Sequence, residues 1–586
     1  MNWSLVEKYR ELLNKEISLI NVRNFGEREV NFALVYPNMY NLAMSNLGFM
    51  SIYYQINTRI DSLCHRGFLP SRNNEKTFQK TRTPLFSLES QTPLKDYDIL
   101  GFSISFELDY MNILKILDLS HIPLKAADRN ENHPLIIAGG PCATFNPEPL
   151  TPYIDVFIIG EGEEVIHEFI EKYKKLRSAG RTQLLKELAN IHGVYVPSLY
   201  KIEYFKDGTI KGIYPEGNAP KKVKKRWVKN ISSIPTNSVI LSSLAEFKNM
   251  FLIEVSRGCW RNCRYCMAGY SYKIPRVREV SSIIKHAQKG KELGQRVGLV
   301  GAAVSDYPYI DGLINEFINN DIKFSVSSLR ADSITPSLIK GLEFSGHKTV
   351  TFAPEAGTER LRRVINKSIT EDDIFKTVYL AADNNIPNIK MYFIIGLPLE
   401  EDADIYGIID LTERILTYSD KINSGFRNIT VSINPFIPKP FTPFQWCNME
   451  DEALLVNKIK IIKKKLSKYK KIKLIWENPQ WSAIQGLLSR GDRKVGNLLF
   501  EVYKYGNNLS AWKKAINELD IDTSFYLYRK RNFDEVLPWS HIDLGISNDF
   551  LKREAESALK GDLSSHCRMD KCKTCSLCSV KGEFNG

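Results

Sequence analysis

Four apolar runs in the first third of the chain are long enough to be buried strands: "VNFALVY" at 30–36, "DILGFSIS" at 98–105, "PLIIAGG" at 134–140 and "VFIIGEGEE" at 156–164. The stretches between them have helical spacing. Strand and helix in alternation predict a parallel α/β sheet of the Rossmann-like kind. Gly139, Gly140, Gly160 and Gly162 fall at the carboxyl ends of these strands, the edge where an open sheet forms a ligand crevice. A missing side chain lets a ligand approach the backbone there, although a tight strand-to-helix turn would use glycine in the same places. Residues 193–215 alternate like a small hairpin with "KDGT" at its turn, and the basic "KKVKKRWVKN" and polar "SSIPTNS" that follow read as a linker.

The alternation resumes near Ala245. "MFLIEV", "VGLVGAAV", "KFSVSSLRA", "KTVTFAPEAG", "NIKMYFIIGLP" and "NITVSINPF" predict six parallel strands, a partial (β/α)6 barrel. From about 447 the apolar spacing is helical, as in "EALLVNKIKIIKKKLSKY", and the chain closes in a short cysteine-rich stretch. The expected organisation is an N-terminal helix and α/β domain over 1–180, a hairpin and basic linker over 181–244, the barrel over 245–446, a mostly helical region over 447–560 and a metal-binding tail over 561–586.

Composition changes this picture little. A chain of 586 residues with 43% apolar side chains can bury several cores. "MNWSLVEKYRELLNKEISLI" has no uninterrupted apolar region, and no later stretch offers about 18 uncharged apolar residues, so a cytoplasmic protein with no membrane partner is expected. Seven of the ten cysteines lie in two tight clusters, which is metal-site spacing and points to a reducing compartment. The net charge of +13 favours polyanions and leaves RNA open as a partner.

"RGCWRNCRYC" carries Cys259, Cys263 and Cys266 in the spacing CxxxCxxC, directly after an apolar strand and without a fourth ligand nearby. Three thiolates can hold three irons of a 4Fe-4S cube and leave the fourth iron open to a small molecule. At the carboxyl end of a first barrel strand they would sit where barrel enzymes place their chemistry. A zinc or redox-thiol site is the alternative reading of the same spacing.

This loop, with Tyr265 before its last cysteine, resembles the signature of the radical S-adenosylmethionine superfamily. The resemblance implies a catalytic 4Fe-4S cluster that passes one electron to bound S-adenosylmethionine. The products are methionine and a 5'-deoxyadenosyl radical that abstracts hydrogen from substrate, with a donor such as flavodoxin or ferredoxin supplying the electron. It also implies roles downstream. Gly301 and Ala302 in "GAAVSD" would meet the methionine amino group through their carbonyls, since the usual glutamate is absent. Ser327 and Arg330 in "SVSSLRAD" would meet ribose hydroxyls and the methionine carboxylate. Glu355 resembles the family's ribose-binding residue, and Gly396 and Pro398 shape a turn like its adenine-contacting stretch. No side chain is singled out as a catalytic acid, base or nucleophile.

An α/β domain ahead of such a core resembles the cobalamin-binding subclass, with "IIAGGPCATFNPEPL" and "DVFIIGEGEE" fitting its second half. "PNMYNLAMSNLG" lacks the histidine that would replace cobalamin's lower ligand, so cobalamin binding and a docking role for the domain both stay open. The tail has Cys567, Cys572, Cys575 and Cys578, enough for a second 4Fe-4S cluster or a zinc, with His566 read as a bystander. Because the tail is remote in sequence from the barrel, cleavage of S-adenosylmethionine is expected to be independent of it. "PFIPKPFTPFQW" at 435–446 is suited to closing the barrel mouth or to core packing, and the lysine run at 458–473 to a phosphate backbone or a solvated helix face. The whole resembles uncharacterised radical proteins. The expected activity is methylation or sulfur insertion on tRNA, rRNA or protein, as in a methyltransferase or methylthiotransferase. The rival is a nonenzymatic iron-sulfur RNA-binding or assembly factor.

Overall fold

A computed structural model describes residues 2–422, 425–567 and 575. The chain divides into two compact units made of discontinuous pieces: 1–249 with 487–523 and 534–545, and 250–486 with 524–533 and 546–586.

The first unit is built on a six-stranded sheet. Its strands in chain order are β1 (Val30–Tyr36), β2 (Ser62–Phe68), β3 (Ile99–Ser103), β4 (Leu135–Gly139), β5 (Val156–Ile158) and β6 (Val194–Tyr195), and they lie side by side as β2-β1-β3-β4-β5-β6. All pairings are parallel except β5 with β6. The four apolar runs become β1, β3, β4 and β5. The sequence pattern misses β2, "SLCHRGF", because His65 and Arg66 interrupt its apolar character although every residue of it is buried. Arg66 is tolerated there because its guanidinium bonds Glu16 and Glu89, each at 2.6 Å, while the His65 ring lies 2.6 Å from the Tyr97 hydroxyl. A buried charge persists when it is paired and hydrogen-bonded.

The expected hairpin forms from β7 (Tyr200–Tyr204) and β8 (Ile210–Pro215), with the Thr209 amide donating to Asp207 Oδ1 at 2.9 Å in the "KDGT" turn. Val194 and Tyr195, assigned to the hairpin from sequence, instead extend the main sheet.

The second unit runs through β9 (Met250–Glu254), β10 (Arg296–Val300), β11 (Phe324–Val326), β12 (Thr349–Glu355), β13 (Asn388–Ile395), β14 (Asn428–Pro435) and β15 (Ile472–Trp476). Neighbours in sequence pair in parallel, β9 to β11 in one sheet and β12 to β15 in another, and a parallel bridge from Leu329 to Phe352 links the two. Helices such as Val280–Glu292, Pro336–Phe344 and Glu371–Asp383 make the crossovers. They start at the expected signals: Thr335 caps the Leu338 amide ahead of Pro336, and Thr370 with Asp373 forms a capping box. This is the α/β barrel expected, with one strand more. β15 lies in a region read as helical because "KKIKLIW" continues the lysine spacing of the helix before it, yet it pairs with β14 from Ile429↔Ile472 to Ile433↔Trp476.

The rest of 447–560 is mostly helical as expected, and parts of it return to the first unit. Arg493 of the helix Arg493–Tyr505 donates to the fully buried Glu148 at 3.1 Å, and Ile542 pairs with Val223. The lysine run is mostly a helix face: Glu452–Leu466 buries Leu455, Ile459, Ile462 and Leu466, and Lys458 pairs with Glu400 and Glu450. Among the described residues no helix is long and apolar enough to cross a membrane.

Candidate active site

The CxxxCxxC loop leaves β9 through the short strand Ser256–Arg257, and Gly258 makes the turn. Its φ is +82°, and a Cβ there would fall 2.3 Å from the Tyr272 carbonyl oxygen, so only glycine fits. The loop is anchored from within. Arg264, fully buried, donates from Nη1 to the Val364 and Arg363 carbonyls at 2.9 and 3.1 Å, and its amide donates to Ile365 O at 3.0 Å. The Asn262 carbonyl accepts from Tyr270 Oη at 3.0 Å and Asn366 Nδ2 at 2.9 Å, and Lys273 Nζ donates to Asn262 Oδ1 at 2.7 Å.

These bonds fix three thiols at the carboxyl end of the first barrel strand, with Cys263 buried and Cys259 and Cys266 half-buried. Burial, with the neighbouring thiols, pushes the Cys259 thiol up to about 12 and that of Cys266 up to about 11. Metal binding must therefore displace their protons. Among the described residues no three His, Cys, Asp or Glu side chains converge on a single ion. A cube takes each thiolate on a different iron and asks for no such convergence.

Around the loop the strand ends bring charge. Arg330, 8% exposed, follows β11, and its Nη1 lies 3.7 Å from Cys263 Sγ. Its Nε and Nη2 donate to the two oxygens of Asp332 at 3.0 and 2.9 Å. Arg261, inside the cysteine loop, donates to both oxygens of Asp306 at 2.9 Å and to Asp332 at 3.0 Å. A guanidinium facing a cysteine sulfur suits an anionic cluster, so the residues present fit one. Asp306 and Asp332 stand in the motifs quoted from sequence but had no role there. An acid two residues after Arg330 was the available signal.

Glu355 ends β12 at φ +70° and accepts from Tyr265 Oη at 2.8 Å and Lys367 Nζ at 2.9 Å. The sequence-predicted ribose residue and the loop tyrosine thus meet, and Lys367 joins them. Gly301 also borders the loop: a Cβ there would meet Ser256 Oγ at 2.7 Å. Ala302 and Ser327 are exposed beyond β10 and β11. In the turn after β13 the Gly396 amide donates to Glu400 Oε1 at 2.9 Å, with Gly396 at φ +77° and Pro398 half-buried. The proline and aromatic segment is core: Phe436 and Phe444 are buried in a cluster against which Tyr265 packs.

The four N-terminal glycines lie at the sheet edge as expected, but the chain itself fills the space three of them leave. A Cβ on Gly140 would fall 2.6 Å from Ile104 O, on Gly160 2.1 Å from Arg226 O, and on Gly162 2.8 Å from Ile52 Cδ1, whereas Gly139 has only ordinary contacts. The same edge exposes Met39, Leu42 and Phe106 just past β1 and β3. It offers no histidine from 37–49.

Of the tail cysteines, Cys567 and Cys575 are buried, and Cys572 and Cys578 lie outside the described residues. The tail's start is not remote from the loop: the Cys567 amide donates to the Trp260 carbonyl at 2.8 Å. His566, read as a bystander, lies with Nε2 2.8 Å from Arg261 Nη1.

Comparison with known proteins finds similarity along much of the chain. Residues 48–197 match the family described as "Radical SAM proteins, N-terminal", and residues 253–412 match "Radical SAM superfamily". The uncharacterized protein MJ0966 of Methanocaldococcus jannaschii is 30% identical over 488 residues, covering 83% of this chain and 94% of that protein. The ribosomal protein uS12 methylthiotransferase RimO of Clostridioides difficile is 24% identical over 180 residues, 28% of this chain and 40% of RimO. Among solved structures, the radical S-adenosylmethionine methyltransferase TsrM of Kitasatospora setae, with cobalamin and a 4Fe-4S cluster bound, is similar at 12% identity and a TM-score of 0.47, over 84% of this chain and 99% of that one. A loop of three cysteines at the head of a parallel barrel, matched through the barrel and through the domain before it, places this chain in the radical S-adenosylmethionine superfamily.

Proposed function

We propose that Cys259, Cys263 and Cys266 hold a 4Fe-4S cluster at which S-adenosylmethionine is reductively cleaved, for methylation or sulfur insertion on RNA, protein or another substrate. The observation that carries this reading is the anchored three-thiol loop with Arg330 directed at Cys263. When bound, the cluster supplies the electron, received from a small donor of the flavodoxin or ferredoxin class. The chain's own residues hold the loop rigid and place donors and acceptors around it. Glu355, Ser327 and the carbonyls of Gly301 and Ala302 are the groups we assign to S-adenosylmethionine, with the Gly396–Pro398 turn beside the adenine, while Arg330, expected at the methionine carboxylate, we assign instead to Asp332 and Cys263, which it already meets.

Anaerobic reconstitution followed by dithionite is expected to yield 5'-deoxyadenosine from S-adenosylmethionine, and Cys263→Ala to abolish it. A fully loaded cluster that cleaves nothing would overturn the reading. The rival, a nonenzymatic RNA-binding or assembly factor, requires RNA affinity with a steep salt slope, since neutralised phosphates release counterions.

Exposed Met39, Leu42 and Phe106 favour a second assignment, a cobalamin lying on the carboxyl edge of β1 and β3 with no histidine of 37–49 as its lower ligand. Titration with hydroxocobalamin, read by absorbance, tests it. Absence of binding would remove cobalamin-dependent methyl transfer and leave sulfur insertion.

A further inference from the structure

The segment joining the last helix, Asn548–Lys560, to the cysteine tail is bonded along its length to the cluster loop and to Asn366. Arg264 Nη2 donates to Asp562 O at 2.7 Å and to Ser564 Oγ at 3.1 Å. The Ser564 amide donates to Asn366 Oδ1 at 2.9 Å, and Asn262 Nδ2 to Ser565 O at 2.8 Å. The Cys567 amide donates to Trp260 O at 2.8 Å. An arginine can only donate, so at 2.8 Å from Arg261 Nη1 the His566 Nε2 accepts and the ring is neutral. Every residue from Cys259 to Tyr265 that is not a cysteine and lies before the last one, Tyr265 excepted, is thus touched by this segment.

From His566 the bonds continue inward. Arg261 reaches Asp332 at 3.0 Å, Asp332 holds Arg330 at 2.9 Å, and Arg330 faces Cys263 Sγ at 3.7 Å. With Asp306 the group has two cations and two carboxylates, so its charges balance and orientation decides its effect. The cationic end faces the sulfur.

We propose that the segment Asp562–Cys567 is a positioning element of the catalytic cluster: through Arg261 and Asp332 it holds Arg330 against the Cys263 sulfur and so helps set the cluster's reduction potential. This rests on the cluster assignment above. An N–H donor on a cluster sulfur stabilises the more negative, reduced state and raises the potential, and such outer partners are an established lever on metal sites.

The test uses the full chain as wild type, Arg330→Met, His566→Ala and the double variant Ser564→Ala/His566→Ala. In cluster-free, reduced protein, alkylation of Cys259, Cys263 and Cys266 by iodoacetamide is followed by peptide mass spectrometry. The double variant is expected to react severalfold faster, and an unchanged rate overturns the clamp. In reconstituted protein, the cluster signal that changes on adding S-adenosylmethionine is titrated against potential by electron paramagnetic resonance. Arg330→Met is expected to lower the reduced-to-oxidised ratio at fixed potential about tenfold, roughly 59 mV for one electron, and His566→Ala to shift it the same way by less. An unmoved potential in Arg330→Met overturns the tuning, and an unmoved potential in both His566 variants overturns the tail's part in it. If wild type takes up no cluster on these cysteines the proposed function fails, while the alkylation rates still decide the clamp.

Discussion

Glu355 is held at φ +70°, a conformation that costs a non-glycine residue about 1–3 kcal/mol, and its carboxylate is shared by Tyr265 and by Lys367, which is itself 5% exposed. Its carboxylate therefore has a structural role in the ligand-free protein. Glu355→Gln leaves Lys367 buried without its counter-charge and is expected to cost about 3 kcal/mol in urea denaturation of the ligand-free protein. Stability equal to wild type would show that the pair contributes nothing and would leave the ribose assignment as the reason for Glu355. Gly160 makes the same point in the first unit. At φ +102°, with the Arg226 carbonyl 2.1 Å from where a Cβ would be, Gly160→Ala is expected to destabilise the ligand-free protein by at least about 2 kcal/mol. A glycine needed only for ligand approach would lower ligand affinity and leave unfolding unchanged.

The piece Asp534–Gly545 shows how an element distant in sequence becomes part of a unit. Ile542 pairs in parallel with Val223, and the His541 ring lies 4.6 Å from Tyr195 and 5.8 Å from Tyr200 between centroids. Burial pushes His541 down to about 4. Glu148 at 3.5 Å pulls the other way, but it is already taken by Arg493 and Tyr195, and burial wins. The folded value thus lies below that of the unfolded chain, about 6.5. The stability this neutral ring contributes is complete above pH 6.5 and is lost as pH falls towards 4, by roughly 3 kcal/mol. Thermal midpoints at pH 7 and 4.5 are expected to differ less in His541→Phe than in wild type. An identical acid shift would assign the pH dependence to other groups.

At the scale of the molecule, each unit is completed by chain that lies outside its main stretch. Residues 1–249 alone would lack Arg493, the partner of a Glu148 that is fully buried, and would lack His541 and the strand at Ile542. An uncompensated buried carboxylate costs several kcal/mol. Expressed alone, 1–249 is expected to unfold at lower urea concentration than the same unit in the full chain, followed in both by hydrogen exchange of peptides from β1 and β3. Equal midpoints would show that the returning pieces add no stability.

By itself the sequence determined the strand-and-helix alternation of both units and the three-cysteine spacing of the loop. Apolar runs of strand length and a CxxxCxxC spacing are local facts that survive in any arrangement of the rest. What it could not supply were effects in which a distant partner overrides local character. "SLCHRGF" is a buried strand only because Glu16 and Glu89 neutralise Arg66, and "KIKLIW" is a strand only because β14 offers it an edge. The same holds at the site. Cys259, Cys263 and Cys266 are legible as a candidate ligand set. The pairing of Tyr265, Glu355 and Lys367, and the path from His566 through Arg261 and Asp332 to Arg330 and Cys263, join residues up to 305 positions apart. Hydrogen bonds of that separation leave no periodic trace in a sequence, so only the tertiary structure could decide them.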